Sequence, residues 1–243
     1  MDGFQDLMIG VIASSLSFML GIAAAKTYSW HRRLRVRRFW RPLTNDGLTL
    51  VLGQLQRDDF QKYEPSGIVG IGDLRGLHEL IEQLGDARLT GYKIEHALTL
   101  SKEDRYGNLV LLGGGDTNLL TAEFMPMLGS QVEFLNESAG PPVLKDRAYN
   151  QAEIQPEQLQ DRVTLDCGVV IRARNPMNPQ RWVVIIAGCL GYGTWAGVRL
   201  TKTDDLRRAP DEFECIFKAK VDNGFPSVLT PIAGPRRLLQ RQQ

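Results

Sequence analysis

Residues 109–118 read LVLLGGGDTN, four apolar residues that pass directly into three glycines. A continuous apolar run of this kind is typical of a strand covered on both faces inside a parallel sheet. Glycines let the backbone turn sharply, and a helix is expected to begin near Thr117 and to end before Gly129. The stretch therefore predicts a buried strand that turns into a helix, the building unit of an α/β fold.

The rest of the chain continues this alternation of apolar runs with helical patterns. Strands are predicted at residues 48–52, 93–100, 109–112, 163–174, 182–186 and 214–221, and further helices after Asp73, placed as an N-cap, and over residues 194–200. We expect a Rossmann-like α/β domain over residues 46–225, with a mostly parallel sheet and crossover helices. The strands at 163–174 and 182–186 are candidates for antiparallel neighbours. Residues 136–162 are interpreted as a long surface connection, and residues 226–243 as a loose basic tail.

The N-terminal part has the pattern of a membrane anchor. Residues 7–25 contain no charged side chain, and Lys26 and the basic run HRRLRVRR at residues 31–38 follow them. As a helix the apolar stretch would be about 28 Å long at ~1.5 Å per residue, close to the roughly 30 Å hydrocarbon core of a bilayer. We expect one transmembrane helix over residues 1–26 and a basic juxtamembrane linker over residues 27–45. An acidic N-terminus argues against a cleaved signal peptide, and all-round apolarity argues against a core helix.

Charge sets the orientation and the partners that we expect. The positive-inside rule places the N-terminus outside and the α/β domain in the cytoplasm, at an inner or plasma membrane. The chain has 29 basic and 28 acidic residues, and the part after Arg41 carries a net charge of −4. An acidic domain argues against nucleic acid binding. The segment 7–41 is assigned to membrane lipid, where its basic residues contact anionic headgroups, set the topology, or both.

The composition also bears on oligomerisation and on metal binding. The apolar segment contains small residues that would let two membrane helices pack closely, so a homo-oligomer is possible. They are Gly10, Ser14, Ser15, Ser17 and Gly21.

The three cysteines, Cys167, Cys189 and Cys215, have no CxxC spacing, and the histidines are scattered. We therefore expect buried free thiols, no metal site and no cofactor.

Two glycine loops at strand ends are the candidate ligand site. The loop at residues 113–118 opens a helix, whose first amides and positive dipole end suit an anion such as a phosphate. Asp116 would repel a phosphate, so capping the helix or binding a ribose hydroxyl are its alternatives. Residues 188–197, GCLGYGTWAG, also leave a buried strand and enter a helix, with Thr194 at the capping position. The candidate ligand-binding residues are Gly113, Gly114, Gly115, Asp116, Thr117, Asn118, Gly191, Tyr192, Gly193 and Thr194.

Together the strand ending in GGG at residues 109–115 and the GYGT loop at residues 191–194 resemble the two fingerprints of the LOG and SLOG Rossmann-like proteins. The resemblance covers these two short motifs only. It implies a nucleotide-derived ligand, and for SLOG-like domains it implies ligand sensing in bacterial signalling or defence. In the enzymes of that family a glutamate after the second loop assists cleavage of an N-glycosidic bond, and Ala196 and Gly197 stand there in this chain.

The expected function is a membrane-anchored cytoplasmic sensor that binds a nucleotide-derived ligand, because the missing glutamate favours binding over cleavage. An enzyme is the first alternative, a nucleotide N-glycosidase or phosphoribohydrolase with Glu64, Asp73 or Asp116 as a substitute carboxylate. Glu64 is the candidate catalytic residue, since it precedes a loop that could reach the strand ends. A structural scaffold whose glycine loops only serve folding is the second alternative.

Overall fold

The computed structural model describes residues 2–43, 47–54, 68–135, 140–149, 151–206 and 208–239, and the side chains of the first helix from Ser14 onward, except at residues 28–29, 31–32 and 35. The helices are α1 (Asp2–Trp40), α2 (Ile71–Asp86), α3 (Lys102–Arg105), α4 (Leu119–Met127) and α5 (Gly191–Leu200), with 3-10 turns at Arg41–Leu43 and Asp204–Leu206. The strands are β1 (Leu48–Leu52), β2 (Tyr92–His96), β3 (Asn108–Leu112), β4 (Val132–Leu135), β5 (Val143–Asp146), β6 (Ala152–Ile154), β7 (Glu157–Leu159), β8 (Arg162–Asn175), β9 (Asn178–Gly188), β10 (Phe213–Asp222) and β11 (Phe225–Arg236).

The protein has a mixed α/β fold around one large sheet. Its strand order is β11-β10-β8-β9-β3-β1-β2, and β7 pairs with β8. The four strands β9, β3, β1 and β2 are parallel to one another; the first three correspond to predicted apolar runs, and β2 to the alternating segment 93–100, of which only the first part is a strand. The remaining strands of this sheet pair antiparallel, including β8 with β9. A second, antiparallel sheet has the order β4-β5-β6.

Both faces of the large sheet are covered, which explains why β1 and β3 are buried at every position. One apolar cluster joins Val110 and Leu112 of β3 to Leu80 of α2 and Val198 of α5. The alternate residues of β3, Leu109 and Leu111, point to the other face and belong to a second cluster with α4 and the small sheet. The alternation of side chains along a strand thus feeds two cores, one on each face.

The last turns of α1 pack against the domain beside α2. Val36, Phe39 and Trp40 are buried there, and the Trp40 indole donates a hydrogen bond to the Gln83 side chain at 3.3 Å. Gln83 is itself buried in α2 and donates to the carbonyl of Val198 in α5 at 2.7 Å. One glutamine therefore connects three helices.

Farther toward the N-terminus, α1 leaves the domain. All side chains at residues 14–27 are exposed, including Phe18 at 70% and Leu20 at 67%. In the part of the chain that the structure describes, no helix combines the length and the apolarity needed to cross a membrane. The segment 27–45 was expected to be a linker, but α1 continues through it as far as Trp40.

Several local expectations need correction. Residues 225–236 form the edge strand β11 rather than a loose tail, because β10 supplies a partner along its whole length. Residues 143–146, 152–154 and 157–159, expected within a surface connection, are strands. The centre of the large sheet is parallel as expected, and β8 and β9 are antiparallel neighbours as their sequences suggested. Helix α2 begins at Ile71 with Gly70 as its N-cap, so Asp73 lies in its first turn.

Candidate functional site

The structure brings the two predicted glycine loops side by side. Strands β3 and β9 are parallel neighbours with Leu112 opposite Ile186, so both loops leave the sheet at one edge, which we call the carboxyl edge. The amide of Gly113 donates to the carbonyl of Ile186 at 3.1 Å. A Cβ added at Gly114 would lie 3.0 Å from the carbonyl oxygen of Gly188. The loops are therefore in direct contact.

The N-terminus of α2 joins them at this edge. A Cβ on Gly72 would lie 2.4 Å from the carbonyl carbon of Gly191, so only glycine permits the two helices to approach this closely. Gly76 contacts α5 in a similar way, with an added Cβ 3.2 Å from the Cα of Trp195. The positive ends of the α2 and α5 dipoles consequently lie next to each other.

Asn118 has a structural role that uses its whole side chain. Its oxygen accepts from the amides of Leu120 and Thr121, at 3.2 and 3.4 Å, and caps α4. Its nitrogen donates to the carbonyls of Val51 and Leu112, at 3.2 and 3.0 Å, which ties the ends of β1 and β3 together. Because both donors and both acceptor sites are used, the predicted role of Asn118 as a ligand contact receives no geometric support.

A buried aspartate takes the place predicted for an anion at α5. Asp166 of β8 is completely buried, and its carboxyl accepts from the amides of Cys167 at 2.7 Å, Leu190 at 3.2 Å and Gly193 at 2.5 Å. Gly193 must be glycine here, since a Cβ would lie 2.5 Å from the carbonyl of Cys167. Two amides at the N-terminus of α5, those of Leu190 and Gly193, thus bind a carboxyl group from within the protein, and a phosphate at these two amides would have to displace it.

Thr194 and Asp73 connect the second glycine loop with the start of α2. Thr194 is buried inside α5, whose N-cap is Leu190, so it is not the cap that the sequence predicts. Its hydroxyl accepts from the amide of Gly188 at 3.3 Å and is hydrogen-bonded to the carboxyl of Asp73. Asp73 was expected at a helix start only, yet it is 92% buried here, with a relative exposure of 8%.

Three carboxyl groups at this edge influence one another. Burial raises the pKa of Asp166 to about 7, although its three amide partners lower it. Burial also raises the pKa of Asp73, against the lowering effect of Thr194, and the charge of Asp116 raises it further. Asp116 reaches solvent, but the surrounding protein removes part of its hydration and raises its pKa as well. The carboxyl edge is therefore acidic, and a ligand that donates hydrogen bonds fits it better than a bare phosphate.

Unpartnered buried polar atoms gather at the same edge. Among the described residues, the buried side-chain atoms without a hydrogen-bond partner are Gln54 Oε1, Asp73 Oδ1 and His96 Nδ1. Gln54 and His96 stand at the ends of the neighbouring strands β1 and β2, and Gln54 is 8% exposed, like Asp73. An acceptor left unpaired in the interior costs about 1–3 kcal/mol. This clustering indicates a place where a donor-rich group would be stabilised.

The other predicted ligand residues are brought to the loops but have local partners. Thr117 donates to the carbonyl of Gly114 at 3.3 Å, and its own carbonyl accepts from the amide of Gln54 at 2.8 Å. Gly113 has a positive φ of 106°, as its turn requires, and Gly115 packs against Ala122. Tyr192 is half-buried, with its hydroxyl near Gly224. Glu64 lies outside the described residues.

The cysteines are closer together than their spacing suggested. The sulfur atoms of Cys167 and Cys189 are 3.2 Å apart, and with Asp166 they form a buried group of three atoms within 4.8 Å. Their hydrogen bond and burial raise the pKa of Cys189 far above its usual range. A metal ion here would have to displace the thiol protons and compete with the three amides bound by Asp166. The sequence signal for this cluster was the charged residue in the apolar run LDCGVV, residues 165–170.

Comparison with known proteins finds no matching family model, no matching curated protein and no matching solved structure. The site is therefore interpreted from its own geometry.

Proposed function

We propose that this protein is a binding module that takes the nucleoside part of a nucleotide-derived ligand at the carboxyl edge. The supporting observation is the pair of buried, unpartnered acceptors, Gln54 Oε1 and Asp73 Oδ1, at the edge where the two glycine loops meet. Ribose hydroxyls and exocyclic amines of a base are neutral donors that satisfy such acceptors. This version of the nucleotide hypothesis assigns no phosphate to the amides of Leu190 and Gly193, since Asp166 already binds them.

We propose further that residues 7–41 hold the module at a membrane, with the α/β domain in the cytoplasm. The exposed apolar side chains of α1, among them Phe18, Met19 and Leu20, support this proposal, because apolar groups gathered on one projecting helix favour burial in lipid. Flotation of the full-length protein with liposomes tests the proposal. Recovery of all the protein in the dense, lipid-free fraction would contradict it.

Calorimetry of the full-length protein in detergent, against a panel of nucleosides, nucleotides and dinucleotide signals, tests the ligand. We expect heat from at least one member, and a loss of affinity of about tenfold or more in Asp73→Asn and Gln54→Leu, since each removes an acceptor. Asp161→Asn is the matched control, because Asp161 is an exposed acid in the turn between β7 and β8. A folded protein that binds no member of the panel would refute the proposal.

An N-glycosidase remains the second candidate, supported by the raised pKa of Asp73 at the crevice. A protonated carboxyl group can act as a general acid toward a departing base. The position of the missing glutamate offers nothing, since Ala196 and Gly197 are buried in α5. Release of free base that is abolished in Asp73→Asn would select the enzyme, whereas binding without turnover selects the sensor.

A further inference from the structure

A basic cavity lies at the opposite end of the sheet from the glycine loops. It has a volume of about 250 Å³ and lies between the end of α1, the turn at Arg41–Leu43 and the chain that follows α5. Its charged lining residues are Arg38, Arg41, Arg172 and Asp211. Three guanidinium groups thus face one carboxylate.

Strand register fixes the position of this cavity. In the β8–β9 pair, Gly168 stands opposite Gly188 at the carboxyl edge and Arg172 opposite Val184. Four residues of strand, or about 13 Å at ~3.3 Å per residue, separate the two levels. The cavity is therefore distinct from the acidic site, and its charge has the opposite sign.

Arg172 supplies a buried positive charge without a carboxylate in contact. It is 6% exposed, and its guanidinium donates to the carbonyls of Asp211 at 2.9 Å, Phe39 at 3.1 Å and Pro210 at 3.0 Å. The rings of Phe39 and Phe213 lie 5.2 and 5.1 Å from its central carbon. None of the ion pairs among the described residues includes Arg172, so the groups that accept its hydrogen bonds are neutral carbonyls.

The charges around Arg172 favour the binding of an anion in the cavity. Burial lowers the pKa of Arg172, and the positive charge of Arg38 lowers it further, whereas Asp211 partly opposes both. Arg38 and Arg41 are exposed at the end of α1 and line the same cavity as the buried arginine. A planar guanidinium is the side chain best suited to phosphate oxygens, which it can bind in pairs.

We infer that this cavity binds a soluble phosphate monoester, with Arg172 as the fixed charge and Arg38 and Arg41 as the groups that reach the phosphate oxygens. The volume supports a small ester, because sites for drug-sized ligands are usually about 300–1,000 Å³. A phospholipid has the same phosphate chemistry. However, Arg38 lies thirteen residues beyond Ala25, or about 20 Å of helix at ~1.5 Å per residue, which is far from headgroups at the end of the proposed anchor.

The test uses the full-length protein in nanodiscs of phosphatidylcholine, titrated with inorganic phosphate and with glycerol phosphate. We expect saturable binding and a higher melting temperature with each probe. The double variant Arg38→Gln/Arg41→Gln should lose at least about tenfold in affinity, because two charged donors are removed. Both residues are exposed, so the variant should fold normally in the absence of phosphate.

The matched control is Arg162→Gln/Arg237→Gln, which removes the same charge from exposed positions outside the cavity. It should bind phosphate like the wild type. If both double variants lost the same affinity for phosphate, net charge alone would explain the loss and the inference would be overturned. The absence of saturable binding would overturn it as well. Discs containing phosphatidic acid form the second arm, and binding of that lipid in place of the soluble probes would overturn the assignment to a soluble ester.

Discussion

The carboxyl group of Asp166 accepts a hydrogen bond from the amide of Gly193 at 2.5 Å, and through it a fully buried side chain of β8 caps helix α5. This contact joins a strand to a loop 27 residues later in the sequence. It affects what the carboxyl edge can bind, since the amide of Gly193 is one that an anionic ligand at the start of α5 would use.

We expect the stability of the protein to depend on pH through Asp166. Its pKa is raised to about 7, so the folded state binds the proton more tightly than the unfolded chain. This stabilisation is fully present below about pH 4 and is lost as the pH rises through about 7, at most roughly 4 kcal/mol. Urea unfolding of wild type and Asp166→Asn at pH 5 and pH 8 measures it. The wild type should lose stability relative to the variant at the higher pH, and parallel profiles would contradict the assignment.

Gly72→Ala should strongly destabilise the protein. The added methyl group would lie 2.4 Å from the backbone of Gly191, so α2 and α5 would have to separate, at an expected cost of about 2–4 kcal/mol. Gly85→Ala is the control within the same helix, because no atom lies within 4 Å of its added Cβ. It should be neutral or stabilising by up to about 1 kcal/mol. Thermal unfolding of both variants checks the prediction, and similar melting temperatures would show that the contact is absent.

Arg236→Met should destabilise the protein by about 3–5 kcal/mol, because it leaves two buried carboxylates unpaired. The Arg236 guanidinium binds Asp146 through two nitrogens, at 2.8 and 2.7 Å, and Glu214 at 2.8 Å. The exposed Arg237→Met serves as control. The pKa of Asp146 is lowered by this arginine despite burial, so the wild type gains stability from the pair above the usual carboxyl range and loses it in acid. The gap between variant and wild type should narrow below pH 4, and a constant gap would argue against the pair.

Thiol chemistry should separate the cysteines into a pair and a single residue. All three are buried, and burial raises the pKa of Cys215 to about 12, so none should react with a thiol reagent in the native protein near pH 7. After unfolding and refolding with a small disulfide as oxidant, Cys167 and Cys189 should form the one intramolecular bond, since their sulfurs lie 3.2 Å apart. Peptide mapping would show it, and a bond to Cys215 instead would contradict the arrangement.

Apolar runs along the chain were enough to predict the parallel centre of the sheet. Strands β1 and β3 are buried at every position and β9 from Val183 to Gly188, and this property is local to each run. Strand β11 escaped prediction because its sequence contains several prolines and its partner, not its own composition, makes it a strand. A local signal did exist, because Asn223 and Gly224 between β10 and β11 are typical of a two-residue hairpin turn, and both have a positive φ, 50° and 75°.

The candidate site was predictable only in part. Glycine loops at strand ends identified the carboxyl edge, and the loops do meet there. Asp166 and Gln54 were missed because their importance depends on partners that the fold brings from elsewhere. The basic cavity was missed because Arg172 lies within a strand far from the arginines of α1 in sequence.

Gln83 has a mechanical consequence. It accepts from Trp40 and Thr201 and donates to Val198, so it is a rigid coupling between α1 and the C-terminal turn of α5. A rotation of α1 would have to break these buried hydrogen bonds or rotate α5 as well. The N-terminal end of α5 binds Asp166 at the carboxyl edge. A movement of α1 would therefore be transmitted through α5 to the candidate ligand site.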